Sequence, residues 1–265
     1  RKIRNMSEVS QLSPQEIKSV DIITNPGAQY GADVTSVIVI HTKRLDSGLA
    51  GVVKVSGSQS EVLSASTDAD ISWMGNNGWG LYAGANVADD GFRQKRIYTE
   101  KFKENRYETI THGAYRNRSE SLRLTAGTSY DFKDNSLGIR YEFSRIPESK
   151  FTSTGDIMTN VSAGLDSISS SSTDNSGSFR HYVNAYTLFK FGIRKNYEFT
   201  SDVDYLYGNS RSSSETEEQA QSYQQNINTG NSSIYHLVAA KANLKVVCNS
   251  VTMNIGGQYS YTKNL

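Results

Sequence analysis

The sequence contains little proline, a single cysteine and no long hydrophobic run. Only 3 Pro occur among its 265 residues, and Cys248 is the one cysteine, so it has no partner for an internal disulfide. No stretch approaches the roughly 18 to 20 consecutive apolar residues that a membrane-spanning helix needs. These absences exclude a disulfide framework and a helical membrane protein.

A strong charge of either sign is also missing. The formal net charge is +1, which indicates no nucleic-acid partner. The histidines are scattered singly, without the close spacing to another His or to Cys that metal ligands show. They are His41, His112, His181 and His236. We therefore predict no metal site.

Acidic residues occur in two patterns, and neither predicts catalysis. Glu198, Asp202 and Asp204 occupy alternate positions, which indicates the polar face of a strand rather than a catalytic carboxylate pair. A second group could bind a cation, although we favour an ordinary solvated loop; it consists of Glu215, Glu217 and Glu218. No Ser lies in the context of a nucleophile elbow. The sequence predicts neither an enzyme nor a cofactor.

Residues that favour β-structure are abundant. The sequence has 16 Tyr, 9 Phe and 21 Gly, with many Ser, Thr and Asn. A mean hydropathy of −0.54 is typical of a soluble protein. A membrane β-barrel can have the same average, because lipid-facing and lumen-facing residues alternate along its strands. From Gly48 onward the apolar and polar residues do alternate with period two.

Four tight polar turns separate the alternating segments. They are predicted at residues 75–78, 134–135, 195–196 and 249–250. Aromatic residues gather toward the strand ends near these turns, where they suit the girdle at a membrane interface. These residues are Tyr130, Phe132, Tyr141, Phe143, Phe189, Phe191, Tyr197 and Phe199.

Nine strands are predicted after the first 45 residues. They cover residues 49–59, 62–74, 78–99, 106–133, 136–152, 179–194, 197–210, 234–248 and 251–263. Residues 165–178 and 210–233 are rich in Ser and too polar to pack a core, so we predict long loops there. Short turns at one end and long loops at the other are typical of an outer-membrane barrel. Nine strands cannot close into a bacterial single-chain barrel, which has an even number, so we expect an internal piece of a longer protein.

Residues 12–43 have a more specific order of residue types than any strand pattern. Ser13 and Pro14 predict the start of a short helix. Two β-branched runs follow, at residues 20–24 and 37–40, and their weak alternation predicts strands that are covered on both faces.

A compact turn is predicted between these two runs. Pro26 fixes one backbone angle, while Gly27 and Gly31 permit conformations that a Cβ would penalise. Tyr30 is the large side chain that would anchor the turn. We expect that these four residues serve packing only. The alternative is that the turn borders the lumen and helps to relay ligand occupancy.

The order SVDIITNPGAQYGAD followed by VIVIHTK resembles the C-terminal end of the plug domain of TonB-dependent outer-membrane receptors. It is most similar to the Bacteroidetes outer-membrane barrel group. The resemblance implies the C-terminal part of a small α+β plug domain over residues 1–44 and the first part of a transmembrane antiparallel β-barrel over residues 45–265. The fold class is therefore expected to be mostly all-β.

Several functions remain open after this resemblance. It implies a receptor in the Gram-negative outer membrane that imports a siderophore, cobalamin, glycan or peptide. Its partners would be outer-membrane lipid, the imported ligand and, through TonB, the energising complex of the inner membrane. The alternatives are a passive or structural barrel such as a porin, adhesin or scaffold, and a soluble β-sandwich or β-helix module.

Overall fold

The computed structural model describes residues 17–24, 35–42, 47–102, 107–161, 164–193, 195–248 and 251–265. Over these residues the chain is all-β, which confirms the predicted fold class. The strands are β1 (Ile17–Ile23), β2 (Val37–Thr42), β3 (Gly48–Gln59), β4 (Leu63–Met74), β5 (Trp79–Phe102), β6 (Tyr107–Phe132), β7 (Asn135–Val161), β8 (Gly164–Phe191), β9 (Tyr197–Ala220), β10 (Gln224–Cys248) and β11 (Val251–Asn264). The described part contains no helix long and apolar enough to cross a membrane.

The strands from β3 to β11 form one antiparallel sheet. Their spatial order is their sequence order, so every neighbouring pair is a hairpin. This matches the nine strands that the period-two pattern predicted. Three of the four predicted turns lie between the described strands β4 and β5, β6 and β7, and β8 and β9. The fourth turn, at residues 249–250, lies outside the described residues, between paired β10 and β11.

The turns keep the backbone geometry that their short length requires. Lys133 and Lys195 have φ values of 55° and 54°, and Gly78 has a φ of 87°. A Cβ at Gly78 would lie 2.0 Å from the carbonyl oxygen of Asp131 on the neighbouring hairpin. Glycine is therefore required at this position by both conformation and space.

The long loops predicted at residues 165–178 and 210–233 are wrong. Both segments are strand, with β8 starting at Gly164 and β9 continuing to Ala220. The connection between β9 and β10 is only residues 221–223. A polar segment cannot pack a core, but its backbone can still pair on both sides, and pairing is what these residues do. The ends of β5 to β10 that point away from the four tight turns are here called the strand extensions. They cover residues 89–102 of β5, 107–120 of β6, 145–161 of β7, 164–177 of β8, 209–220 of β9 and 224–232 of β10.

One bulge interrupts the sheet at the base of the strand extensions. The register of β7 shifts between Ile146 and Ser149 against β8, and it shifts at the same place against β6. Pro147 lies in this interval. Because proline lacks an N–H group, an interior strand accepts it where the ladder is already broken.

The two faces of the nine-stranded sheet differ in chemistry. One face, here the apolar face, carries residues such as Leu81, Ile139, Val203 and Tyr259, which lie in one row across the strands. Many of these side chains are exposed, Leu81 at 52% and Val203 at 48%. The opposite, polar face contains the most buried charged groups of the described residues. The pattern is the reverse of a soluble sheet, which hides its apolar side.

Three cross-strand Gly–Tyr pairs help the polar face pack closely. Tyr82 lies opposite Gly127, Tyr186 opposite Gly138, and Tyr235 opposite Gly208. A Cβ at Gly127 would lie 2.3 Å from the ring of Tyr82, so the ring covers the space that the glycine leaves. Cross-strand Gly–Tyr pairs fix the register between neighbouring strands.

The strands β1 and β2 form a separate antiparallel pair, with Val20 opposite Ile40 and Ile22 opposite Ile38. The strands were predicted, but their burial on both faces was not correct. Val20 is 49% exposed, Ile22 66% and Ile38 64%. A pair of strands hydrogen-bonds only the backbone groups that face each other and covers neither of its own faces, which explains the difference. The predicted helix start at Ser13 lies outside the described residues.

Candidate functional site

A network of charged groups lies at the centre of the polar face. Glu142 on β7 accepts a hydrogen bond from Nη2 of Arg140 at 2.9 Å and another from Nη2 of Arg180 on β8, also at 2.9 Å. Arg140 is 4% exposed and Glu142 3%. The alternation of β7 places both on one face, two residues apart, and the pairing of β7 with β8 brings Arg180 to them.

A second cluster continues this network onto β9. Asp204 accepts hydrogen bonds from Nδ2 of Asn184 at 2.8 Å and from the hydroxyl of Tyr182 at 2.6 Å. Asn184 is 2% exposed. The two clusters are contiguous because Arg140 lies opposite Asn184, and Glu142 lies opposite Tyr182. Together they form a fixed polar lining across three strands.

Two nitrogen atoms in this lining have no hydrogen-bond acceptor among the described residues. They are Nε of Arg140 and Nε of Arg180, both buried. A buried donor without an acceptor is costly, so these two atoms reduce the stability that the other nitrogen atoms of the arginines give to the network. The carboxylates of Glu142 and Asp204 are held by the donors described above.

The apolar face carries two belts of aromatic side chains. The turn-side belt lies next to the tight turns and consists of Trp79, Tyr130, Phe132, Phe189, Phe191 and Tyr197. The extension-side belt lies at the base of the strand extensions and consists of Phe143, Phe179, His181, Tyr207 and His236. Apolar residues fill the band between the belts.

Two of the four histidines that looked isolated in the sequence are part of the extension-side belt. His181 and His236 flank Tyr207, with ring centroids 6.0 and 4.9 Å from it. The hydroxyl of Tyr141 is hydrogen-bonded to Nδ1 of His181 at 2.7 Å. The observed register pairs Phe191 with Tyr197 and therefore His181 with Tyr207. The predicted turn at residues 195–196 would have paired His181 with Ser210, so the grouping needed the register that the structure gives.

Tyr141 and Phe143 were predicted beside a turn, but the structure places them at the extension-side belt. The other acids singled out earlier also have defined places. Glu198 forms an ion pair with Lys190 at 3.3 Å. Glu215, Glu217 and Glu218 lie in β9 instead of a loop, opposite residues of β10. Across the part of the chain that the structure describes, no three His, Cys, Asp or Glu side chains are arranged to hold a metal ion.

The predicted plug turn lies outside the described residues. Pro26, Gly27, Tyr30 and Gly31 therefore keep their status as sequence predictions, and the strands on either side of them, β1 and β2, are described. The proposed division at residues 44 and 45 falls in a second undescribed gap, between β2 and β3.

Comparison with known proteins gives weak likenesses. No protein-family model and no curated protein matches the sequence. Among solved structures, the chain is similar to the ferric citrate transporter FecA, with 14% identity, a TM-score of 0.36, and coverage of 96% of this chain and 44% of that one. It is also similar to the siderophore receptor PiuA from Acinetobacter baumannii, with 9% identity, a TM-score of 0.23, and coverage of 94% and 51%.

A third similar structure is the ferric yersiniabactin uptake receptor FyuA from Yersinia pestis. Its identity is 8% and its TM-score 0.27, over 94% of this chain and 60% of that one. The chain thus spans about half the length of the solved proteins it matches. Likenesses of this strength establish no family, and the function proposed below rests on the geometry of the sheet and on the residues themselves.

Proposed function

We propose that this chain forms part of the wall of an outer-membrane β-barrel, in a TonB-dependent receptor that imports a nutrient ligand. The observation that carries the proposal is the exposed apolar band between two aromatic belts, opposite a polar face with buried charges. A protein in water would bury that band, whereas a barrel presents it to lipid and turns the polar face toward its lumen.

The height of the apolar band fits a bilayer. Ten residues separate Tyr197 in the turn-side belt from Tyr207 in the extension-side belt along β9. At about 3.3 Å per residue and a strand tilt of about 40°, this segment spans roughly 25 Å along the membrane normal, which is the height of the apolar band of outer-membrane barrels. The strand extensions would then project from the membrane.

The edges of the sheet also bear on this proposal. Among the described residues, β3 pairs only with β4, and β11 pairs only with β10. An unpaired strand edge is not stable in hydrocarbon, because its N–H and C=O groups have no partner there. On the proposed function both edges need further strands beside them.

The energy-coupled part of the proposal rests on residues 12–43. Their resemblance to the end of a plug domain supports a receptor rather than an open pore, and it supports TonB as the link to the inner membrane. The imported ligand would be a siderophore, a cobalamin, a glycan or a peptide. The polar lining around Glu142 would belong to the wall that surrounds the plug.

Uptake measurements test this function. Cells that carry the natural full-length protein should accumulate one labelled ligand from a panel of those four classes, and a protonophore should abolish the accumulation. A strain without the gene is the control. Ion conductance by the reconstituted protein without any ligand would instead support a passive barrel, and recovery of the protein from the aqueous phase of a detergent extraction would contradict both.

The plug turn can be tested separately. A Gly31→Val substitution should destabilise the plug, because a β-branched side chain restricts a turn that is predicted to need glycine. Limited proteolysis of outer-membrane fractions should then show cleavage before Arg44, with the barrel intact. If the plug stays as resistant as in the unchanged protein, the backbone argument for this turn is wrong.

A further inference from the structure

Two open grooves lie at the base of the strand extensions, immediately beyond the extension-side belt. The larger has a volume of about 870 Å³ and the smaller about 480 Å³, and both include the bulge residue Glu148. Together they are lined by five cationic side chains and two glutamates. We call the cations the basic shelf; they are Arg116, Arg118, Arg145, Lys150 and Arg211.

The basic shelf belongs to the apolar side of the sheet. Arg145 follows Phe143 by two residues on β7 and lies opposite the belt residue Phe179 on β8. Arg211 follows Tyr207 by four residues on β9, which has no register shift against β8. Because side chains alternate between the faces, both arginines have the same facing as the belt.

Four of the five cations on the shelf form no ion pair within the described part of the chain, although Glu120 and Glu148 lie among the lining groups. Arg118 forms an ion pair with Asp89 at 2.6 Å. Arg116, Arg145, Lys150 and Arg211 form no ion pair with any described residue. Arg145 and Arg211 are exposed, and neutral hydrogen-bonding side chains such as Asn175, Asn209 and Ser232 line the groove around them.

We propose that the basic shelf binds the phosphorylated headgroup of a lipid in the leaflet next to the strand extensions. This inference rests on the proposed function, since it needs the apolar band to be in a bilayer. The belt marks the membrane interface, so cations just beyond it lie at the level of the headgroup phosphates. Guanidinium groups bind phosphate with paired hydrogen bonds, and the Ser and Asn side chains suit the sugar or glycerol hydroxyls of a headgroup.

Lipid retention tests the proposal. The natural full-length protein would be reconstituted in nanodiscs of phosphatidylcholine with a trace of diphosphoryl lipid A, and lipid bound per protein would be measured after purification. The double variant Arg145→Gln/Arg211→Gln should retain about tenfold less lipid A, since each cation near an anionic headgroup contributes to binding. The double variant Arg145→Lys/Arg211→Lys keeps the charge and should retain most of it.

Lys54→Gln is the matched control. This variant removes one positive charge from an exposed residue of β3, which the register places on the polar face beside Asp68, and lipid retention should not change. Equal retention by the unchanged protein and the Gln double variant would overturn the headgroup site. If excess inorganic phosphate displaces the lipid, the basic shelf is a site for free phosphate, and the headgroup site is overturned as well.

The two proposals can fail separately. Heat-modifiable mobility on a gel shows whether a variant is inserted in the membrane. If the Gln double variant is inserted but retains lipid A normally, the headgroup site alone is contradicted. Absence of the unchanged protein from the membrane contradicts the proposed function, and with it this site.

Discussion

Glu142 is the residue at which two guanidinium groups from neighbouring strands meet on the polar face. Its two carboxylate oxygens are each 2.9 Å from an arginine nitrogen, and its side chain is 4% exposed. Removing one member of a buried ion pair is costly, because the remaining charge loses its compensation. We therefore treat Glu142 as the anchor of the polar lining.

Neutralising this anchor should destabilise the sheet. For Glu142→Gln we predict a loss of about 3 kcal/mol in the free energy of unfolding, measured by urea titration of the natural protein in bilayers. The control is Glu198→Gln, which breaks the ion pair with Lys190. The side chain of Lys190 is 38% exposed and that of Glu198 is 32% exposed. That change should cost at most about 1 kcal/mol. Equal losses in the two variants would show that burial does not strengthen the Glu142 pairs.

The facing of Val203 offers a second test at the residue scale. Val203 is 48% exposed on the apolar face, between the two belts. A cation near the middle of a bilayer on the lipid side costs roughly 2 to 4 kcal/mol, so Val203→Arg should reduce the amount of assembled protein in outer-membrane fractions. Thr200→Arg on the polar face of the same strand should assemble normally. Equal impairment by both would mean that the facing of β9 is wrong.

The strand extensions are the main feature at the scale of the element. β8 has 28 residues, of which a bilayer needs only about nine to eleven. The extension of β8 is held by backbone pairing on both sides and by contacts such as the hydrogen bond from Ser169 to Asp156 at 2.7 Å. Its Ser-rich composition therefore reflects solvent on both faces of a paired strand.

Proline can distinguish a paired extension from a loop. Ser213 lies opposite Asn175 on one side and Gly230 on the other, so Ser213→Pro should break the ladder, since proline lacks the N–H donor. We expect faster amide hydrogen exchange in residues 167–178 and 224–233. Ser222→Pro, in the connection between β9 and β10, should leave exchange in both segments unchanged. Rapid exchange in these segments of the unchanged protein would contradict the strand assignment.

The number of strands and the turns were predictable because alternation and turn chemistry are local signals. The apolar alternation of Phe199, Val203 and Tyr205 fixed the facing of β9, and Asp134 and Lys195 marked turns. The strand extensions of β8, β9 and β10 were not predictable in the same way, because Ser and Asn carry no apolar period to reveal a strand. The network around Glu142 depends on Arg180, 38 residues away, and needed the register of β7 with β8.

At the scale of the whole molecule, the sheet has an apolar exposed band, two aromatic belts and a polar side. On the proposed function, these three features share one explanation, which is that lipid solvates the apolar face and a lumen solvates the polar face. The basic shelf lies beyond one belt, and the tight turns lie beyond the other. On the same proposal, the turn end of β9 lies at one membrane interface and its strand extension projects beyond the other.

Spin-label accessibility along β9 tests the membrane assignment most directly. Single cysteines would be placed at each of residues 199–207 of the natural protein, with Cys248→Ser, and labelled in bilayers. The account predicts that collisions with oxygen peak at Phe199, Ser201, Val203 and Tyr205, while collisions with a water-soluble nickel chelate peak at the intervening residues. High chelate accessibility at Val203 and Tyr205, or the absence of a period of two residues, would contradict it.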